Sequence, residues 1–348
     1  RVNQGVELAQ ESSPHYRQTA TSTLALDEST SFVTTRKRSV VLTFRNCCWS
    51  VGTTSAGKKP SHCERAAASR LLIDNISGRV ETGEVCALMG PSGAGKTTLL
   101  DMLTLERRGG KPFGEVLVNG HPMTTSLFVQ HAAYLPQRDA LWVGLTTREH
   151  IGYAVDLYHS DKSSGDKQKV VEDILNALGL ESCADTIAGS PLLKGLSGGQ
   201  QRRLSLGIAL AKSPSLLFLD EPTSGLDAAG AAAVMNFLKV AAVQIGAPVI
   251  CTIHQPSYKV FEGFDKTLIL SSGRVAYFGV ASEMIEYLAS IGHPIPAGAN
   301  PAEYIIDICN KDFTCVEDVN IVLDKWAAQE KPISTPRPSE LTNNNSSA

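Results

Sequence analysis

Residues Gly90-Pro91-Ser92-Gly93-Ala94-Gly95-Lys96-Thr97 follow the apolar run Val85 to Met89 and lead into Thr98-Leu99-Leu100. The pattern G-x-x-x-x-G-K-[ST] between a strand and a helix suits the binding of nucleotide phosphates. Glycines let backbone N–H groups wrap the β- and γ-phosphates, and the helix N-terminus adds positive potential. Lys96 would bridge phosphate oxygens, and the Thr97 hydroxyl would ligate Mg²⁺. A second group closes the apolar run Leu216-Leu217-Phe218-Leu219 with Asp220 and Glu221. A parallel strand covered on both faces is apolar throughout, so acids at its carboxyl end fall on the ligand edge of the sheet, beside the phosphate loop. There Asp220 would hold the Mg²⁺ shell and Glu221 would orient or deprotonate an attacking water. A third group, Leu196-Ser197-Gly198-Gly199-Gln200, ends 20 residues before Asp220 and opens a helix-like run, Gln201 to Lys212. At a helix N-terminus, Ser197, Gly198, Gly199 and Gln200 can offer backbone N–H groups and a hydroxyl to a γ-phosphate. The plainer reading makes Ser197 a helix cap that satisfies its own amides.

Leu-Ser-Gly-Gly-Gln resembles the signature of the ATP-binding cassette (ABC) ATPases, and the three groups stand in that family's order. The resemblance implies an α/β fold: a P-loop NTPase (RecA-like) core with an antiparallel β subdomain and an inserted α-helical subdomain. It implies ATP and Mg²⁺ as cofactors, with the signature of one cassette closing on ATP held by another. By position, Gln137 in Tyr134-Leu135-Pro136-Gln137 resembles the glutamine that reaches Mg²⁺ or the attacking water. Ser224-Gly225-Leu226-Asp227 resembles the D-loop, which brings Asp227 into the nucleotide site. His254, after the strand-like Val249 to Ile253, resembles the switch histidine at the γ-phosphate. Gly90 through Thr98 would form the phosphate cradle. One departure concerns the base: the position aligned with the adenine-stacking aromatic is Val51, so either Trp49 stacks in its place or the adenine is held loosely, which leaves the choice between ATP and GTP open.

These side chains need a sheet to align them. Strands are expected at Val40 to Phe44, Glu84 to Met89, Gly114 to Asn119 with an Asn119-Gly120 turn, and Ala132 to Leu135. Further strands are expected at Leu216 to Asp220, Val249 to Ile253, Lys266 to Leu270 and Val275 to Gly279. Between Thr146 and Leu180 the pattern turns helical, with a polar interruption from His159 to Asp166. The resemblance places the helical subdomain at about 138–212 within a nucleotide-binding domain at 38–310. Residues 1–37 and the Ser- and Asn-rich end, from about 331, carry too little apolar periodicity to fold and are expected to be disordered. Thr53 to Ala68 reads as a polar loop, and 311–348 as a linker toward a membrane domain.

Composition sets the outer limits. The 348 residues carry 32 Lys and Arg against 35 Asp and Glu, a formal charge of −3, so no bulk charge argues for a nucleic-acid partner. The most apolar stretches fall short of the roughly 20 residues of a spanning helix, and no transmembrane segment is expected. Eight cysteines without CxxC or metal-type spacing read as reduced packing residues. Short basic clusters such as Arg202-Arg203 read as solvated faces. The chain opens at Arg1 without Met or a signal-type segment, as a fragment or a processed chain would. Ile253-His254-Gln255-Pro256-Ser257, Asp220-Glu221-Pro222-Thr223-Ser224-Gly225-Leu226-Asp227 and Asn300-Pro301-Ala302-Glu303-Tyr304 resemble the G subfamily, the white and pleiotropic drug resistance type. That resemblance implies an ATPase that powers export of amphipathic or lipid-like compounds. Its partners would be a second nucleotide-binding domain, head-to-tail, and a transmembrane domain in cis or in trans. The cassette would be the cytoplasmic, membrane-associated part of a transporter, and this length alone would be soluble or peripheral. The alternatives are a soluble non-transport ABC ATPase and a non-catalytic nucleotide-binding regulator.

Overall fold

Two sheets carry the fold in the computed structural model, which describes residues 39–52, 69–106, 109–190 and 192–329, all within the unit Ser31–Ala348. The expected tails at 1–37 and from 331, the polar loop at 53–68, and Cys63 lie outside the described residues. The chain runs through β1 (Val41–Gly52), β2 (Ser69–Glu81), β3 (Val85–Met89), the phosphate loop and α1 (Lys96–Leu103). Next come β4 (Lys111–Val118), β5 (His121–Pro122), α2 (Thr125–His131) and β6 (Ala132–Leu135). Three helices follow, α3 (Thr147–Tyr158), α4 (Ser164–Ala177) and α5 (Gly198–Ala211). The sheet resumes with β7 (Leu216–Leu219), α6 (Ala228–Ile245), β8 (Val249–Thr252), α7 (Tyr258–Phe261), β9 (Lys266–Ser271) and β10 (Arg274–Val280). The chain closes with α8 (Met284–Ser290), α9 (Pro301–Ile308) and α10 (Val316–Gln329).

The four-stranded sheet is antiparallel, in the order β2-β1-β4-β5. Asn119 and Gly120 both have positive φ, 51° and 79°, the geometry an Asn-Gly hairpin turn requires. The six-stranded sheet has the order β10-β9-β3-β8-β7-β6, parallel except for β10. This is the P-loop NTPase core with its β subdomain, as expected. β8 lies between β3 and β7, so the acids after β7 reach the phosphate loop across one intervening strand end.

Strand periodicity builds the two cores. Val85, Ala87 and Met89 of β3 join Leu217, Leu219, Val249 and Cys251 on one face of the parallel sheet. Cys86 and Leu88 join Leu216, Phe218 and Ile250 on the other. Side chains alternate across a strand, so a continuous apolar run serves both layers. The first layer takes in the helical insertion through Ile151, Val155, Ile174, Leu175 and Leu204. The second receives the antiparallel sheet and α1 through Phe44, Ile73, Ile76, Leu99 and Leu100.

Local capping sets the helix limits in the insertion. Thr146 and Glu149 form a capping box at the start of α3. Ser163 accepts from Asp166 N and starts α4, so the polar interruption is shorter than expected. At Gly207 a Cβ would stand 2.7 Å from Leu178 Cδ1 and 3.2 Å from Ile174 Cγ2, so a larger residue there would push the side chains at the end of α4 aside.

One expectation about the chain's course changes, at its end. One described helix, α6, is long and apolar enough by length and composition to cross a membrane. It also buries Val234, Phe237, Leu238, Ala241 and Ala242 in the core, with Asp227 capping its start and left-handed Gly246 its end. Further on, α10 lies beyond the boundary expected at 310. It buries Val319, Val322 and Leu323, pairs Asp324 with Arg274 at 2.7 Å, and packs Trp326 against Tyr277 and Tyr287. The packed body therefore continues to Gln329, the last residue of α10.

Candidate functional site

Parallel pairing brings the sequence's scattered candidates to one edge. Leu135 pairs with Leu219 and Leu88 with Thr252, and the ladder continues one step past the strands. Asp220 N donates to Leu135 O at 2.8 Å, and Ile253 N to Leu88 O at 3.0 Å. Gln137 after β6, Asp220 and Glu221 after β7, His254 after β8 and Gly90 after β3 therefore all leave the carboxyl edge together. Ligands of open α/β sheets bind along that edge.

The phosphate loop is a backbone cradle. Gly90 has φ 145°, and a Cβ there would fall 2.1 Å from Leu270 O, so no side chain fits between the loop and β9. Gly95 caps α1 with φ 105°, and a Cβ there would stand 2.7 Å from Ile73 Cγ2. Lys96 folds across the loop and donates from Nζ to Gly90 O at 2.7 Å and Pro91 O at 3.1 Å. Burial lowers its pKa below the usual lysine value, and the carboxylates of Glu221 and Asp220 oppose that shift. Ser92, Gly93 and Thr97 are exposed, while Pro91 and Ala94 are buried; Thr98 is partly buried.

At the acids, three neighbours fix the geometry. Gln137 Nε2 donates to Glu221 Oε2 at 2.5 Å. Thr252, buried at the end of β8, donates from Oγ1 to Asp220 Oδ1 at 2.6 Å and accepts from Glu221 N at 2.8 Å. Glu221 itself has φ 45°, a left-handed backbone that a non-glycine residue adopts only when its surroundings hold it there. Arg202 of α5 is 4% exposed. Its guanidinium donates to Asp220 O, Pro136 O and Asp139 Oδ1, each at 2.8 Å, and to Pro222 O at 3.3 Å.

Arg202 thus ties the segment after β6 to the turn after β7, and it is not the solvated basic residue expected. Its neighbour Arg203 is also engaged, donating to Leu178 O at 2.8 Å. Neither Arg202 nor Thr252 was among the sequence candidates. The available signal for Arg202 was helical spacing, since Arg202, Ser205, Leu206 and Leu210 share the buried stripe of α5. For Thr252 it was a lone hydroxyl ending an apolar strand.

The signature segment behaves differently. Ser197 accepts from Gln200 N at 3.3 Å, and Gln200 Oε1 accepts from Ser197 N at 2.8 Å. The plainer reading of Ser197 as a helix cap is thus physically present. Ser197 and Gly198 are exposed, with Gly199 and Gln200 partly so, and this leaves the helix N-terminus open to a ligand from outside. Asp227 is exposed and accepts from Gly230 N at 3.0 Å, capping α6. His254 is exposed at the sheet edge. Trp49 is unsuited to stack on a base: it is 3% exposed and its Nε1 donates to Gly109 O at 3.0 Å. The half-buried Val51 packs against the same core.

The oxygen groups fit a hard divalent cation. Thr97 offers a hydroxyl, and Asp220 has Oδ2 left once Oδ1 takes the Thr252 proton. Gln137 has its amide oxygen left once Nε2 serves Glu221. Among the described residues no group of three His, Cys, Asp or Glu could hold a metal by itself. Such a sparse, all-oxygen set suits Mg²⁺, which is ordinarily held by one or two protein groups together with substrate phosphates.

Comparison with known proteins agrees with this geometry. Residues 73–224 match a family model described as ABC transporter, and 254–324 match one described as ABC-2 type transporter. The chain is 44% identical over 245 residues to ABC transporter G family member 11 of Arabidopsis thaliana, covering 70% of this chain and 34% of that protein. It is 38% identical over 287 residues to G family member 1 of Dictyostelium discoideum, with 82% and 35% covered. With G family member 22 of the same organism it shares 40% over 278 residues, 78% and 43% covered. The chain spans between a third and a half of the length of these relatives. An intact phosphate cradle, paired acids and signature on a P-loop core, together with these relatives, make the chain a nucleotide-binding cassette that belongs to the ABC transporter family, in its G subfamily.

Proposed function

We propose that this chain hydrolyses Mg²⁺-bound ATP and that the hydrolysis powers export of amphipathic or lipid-like compounds by a G-subfamily transporter. The observation that carries the reading is the connected set Gln137–Glu221–Thr252–Asp220 on the same sheet edge as the Lys96 loop. In this reading Gly90 through Thr98 bind the phosphates, and Lys96 exchanges its two loop carbonyls for phosphate oxygens. Thr97, Asp220 and Gln137 would hold Mg²⁺, which when bound neutralises charge on the β- and γ-phosphates. Glu221 orients a water with one carboxylate oxygen and takes its proton, while Gln137 holds the other oxygen still. His254 adds a donor toward the γ-phosphate. Ser197, Gly198, Gly199, Gln200 and Asp227 serve the nucleotide of a second cassette, in a head-to-tail pair.

The cassette domain is taken to run from about residue 38 through α10, with its helical subdomain at about 138–212. That subdomain joins the Gln137 segment at one end to the signature at the other, so it suits docking of a transmembrane domain in cis or in trans. This arrangement would hold the cassette at the cytoplasmic face of a membrane. The test is ATP hydrolysis by the purified chain with and without Mg²⁺. Lys96→Ala should weaken nucleotide binding, whereas Glu221→Gln should keep binding and slow hydrolysis by orders of magnitude. A Glu221→Gln chain that hydrolyses ATP at the wild-type rate would refute the role given to Glu221.

A further inference from the structure

We propose that Thr252 is a positioning residue for hydrolysis, its hydroxyl locking the cation-holding acid and the water-activating acid into one unit; this rests on the ATPase reading above. A threonine hydroxyl has one proton and two lone pairs. Here the proton goes to Asp220 Oδ1 at 2.6 Å, and a lone pair takes Glu221 N at 2.8 Å. The two bonds do different things. The first stops the Asp220 carboxylate from turning, so that Oδ2 is presented in a fixed direction. The second holds the Glu221 backbone at φ 45°, from which its carboxylate meets the Gln137 amide.

The location of Thr252 makes it the link between otherwise separate parts. It ends β8, the strand between β3 and β7, pairs with Leu88 just before the phosphate loop, and stands two residues before His254. At 1% exposure it has no solvent to replace either bond. Packing alone does not call for a hydroxyl, since Val249, Ile250 and Cys251 fill the rest of β8 and valine has the same shape as threonine. Groups that orient metal-holding residues from behind are worth on the order of 10- to 100-fold in affinity or activity.

The experiment uses the full chain as wild type, Thr252→Val, Thr252→Ser and Glu221→Gln. Calorimetry measures binding of ATP alone and of Mg²⁺-ATP, and steady-state assays separate kcat from KM. Thr252→Val should bind Mg²⁺-free ATP as wild type does and lose on the order of 10-fold or more of the extra affinity that Mg²⁺ confers. Its kcat should fall by on the order of 10- to 100-fold, and Thr252→Ser should recover both. Should Thr252→Val show no cooperative melting, Thr252→Ala is read in its place. If Thr252→Val matches wild type in Mg²⁺-dependent binding and kcat while Glu221→Gln is inactive, the positioning role is overturned and the ATPase reading stands. If Glu221→Gln is as active as wild type, the role given to Glu221 and this inference fall together while hydrolysis stands; if the wild-type chain hydrolyses no Mg²⁺-ATP, the ATPase reading itself falls.

Discussion

The sheet edge and the signature segment differ in where their polar groups find partners. At the edge, Thr252, Arg202, Gln137 and the two acids satisfy one another across three strands and α5. At the start of α5, the side chains of Ser197 and Gln200 bond back to each other's backbone N–H, and Ser197 and Gly198 are exposed. The first region is preorganised: its geometry is fixed by buried bonds formed within the chain. The second is a capped helix end whose first residues are exposed. One helix, α5, carries both: its first turn presents the signature, and Arg202, in the next turn, anchors the helix to the segment after β7 that bears the acids. In the proposed pair, a partner's phosphate bound at the signature would therefore press on an element tied directly to Asp220.

Removing the tie should have the largest effect on the folded chain. Arg202→Met would leave Asp139 unpaired and several backbone carbonyls without donors. Breaking one side of such a buried pair costs about 3 kcal/mol or more, read as a lowered denaturant midpoint, and hydrolysis should fall with it. Ser197→Ala should cost only about 1 kcal/mol, the worth of an N-cap, with ATP binding by the isolated cassette unchanged. If Ser197→Ala destabilised the chain as much as Arg202→Met, the contrast between an embedded edge and an outward-facing cap would be wrong.

The smallest expected effect concerns thiols. Burial pushes Cys47, Cys86 and Cys309 up to about 12 and raises Cys251 further. At pH 8 all four should stay protonated and unlabelled in the native chain. The thiolate is the reacting form, so reactivity should rise only as pH climbs toward these raised values or the chain unfolds. Residue-resolved mass spectrometry after alkylation reads this. Labelling of Cys86 or Cys251 under native conditions would mean that the central strands open readily.

Much of the architecture was legible because parallel strands are short, continuous and apolar. β6 runs from Ala132 to Leu135 as the pattern predicts, and β3, β7, β8, β9 and β10 fall within a residue or two of expectation. β2 was not legible. Ile73, Ile76 and Val80 are buried together but spaced by three and four, a helical interval, and the strand keeps them on one face through irregular pairing near Asn75, with φ 51°. The end of β1 was hidden for a similar reason, with Asn46 at φ 48° interrupting the alternation. α10 has an amphipathic pattern that reads equally as a linker helix or a packed one; only the sheet it covers decides between them. At the site, motif residues could be named from the sequence. Their supports could not, because Thr252 and Arg202 look like an ordinary strand end and an ordinary surface basic until the register brings Asp220 to both.

In the proposed head-to-tail pair, the signature of one copy completes the phosphate site of another. Light scattering of the Glu221→Gln chain, which should hold ATP without consuming it, tests this most directly. With Mg²⁺-ATP the mass should double from that of the 37.1 kDa monomer, and it should return to the monomer value when Ser197→Arg is added, which fills the open helix end with a bulky cation. A Glu221→Gln chain saturated with ATP that remains a monomer at high concentration, or a dimer indifferent to Ser197→Arg, would contradict the account.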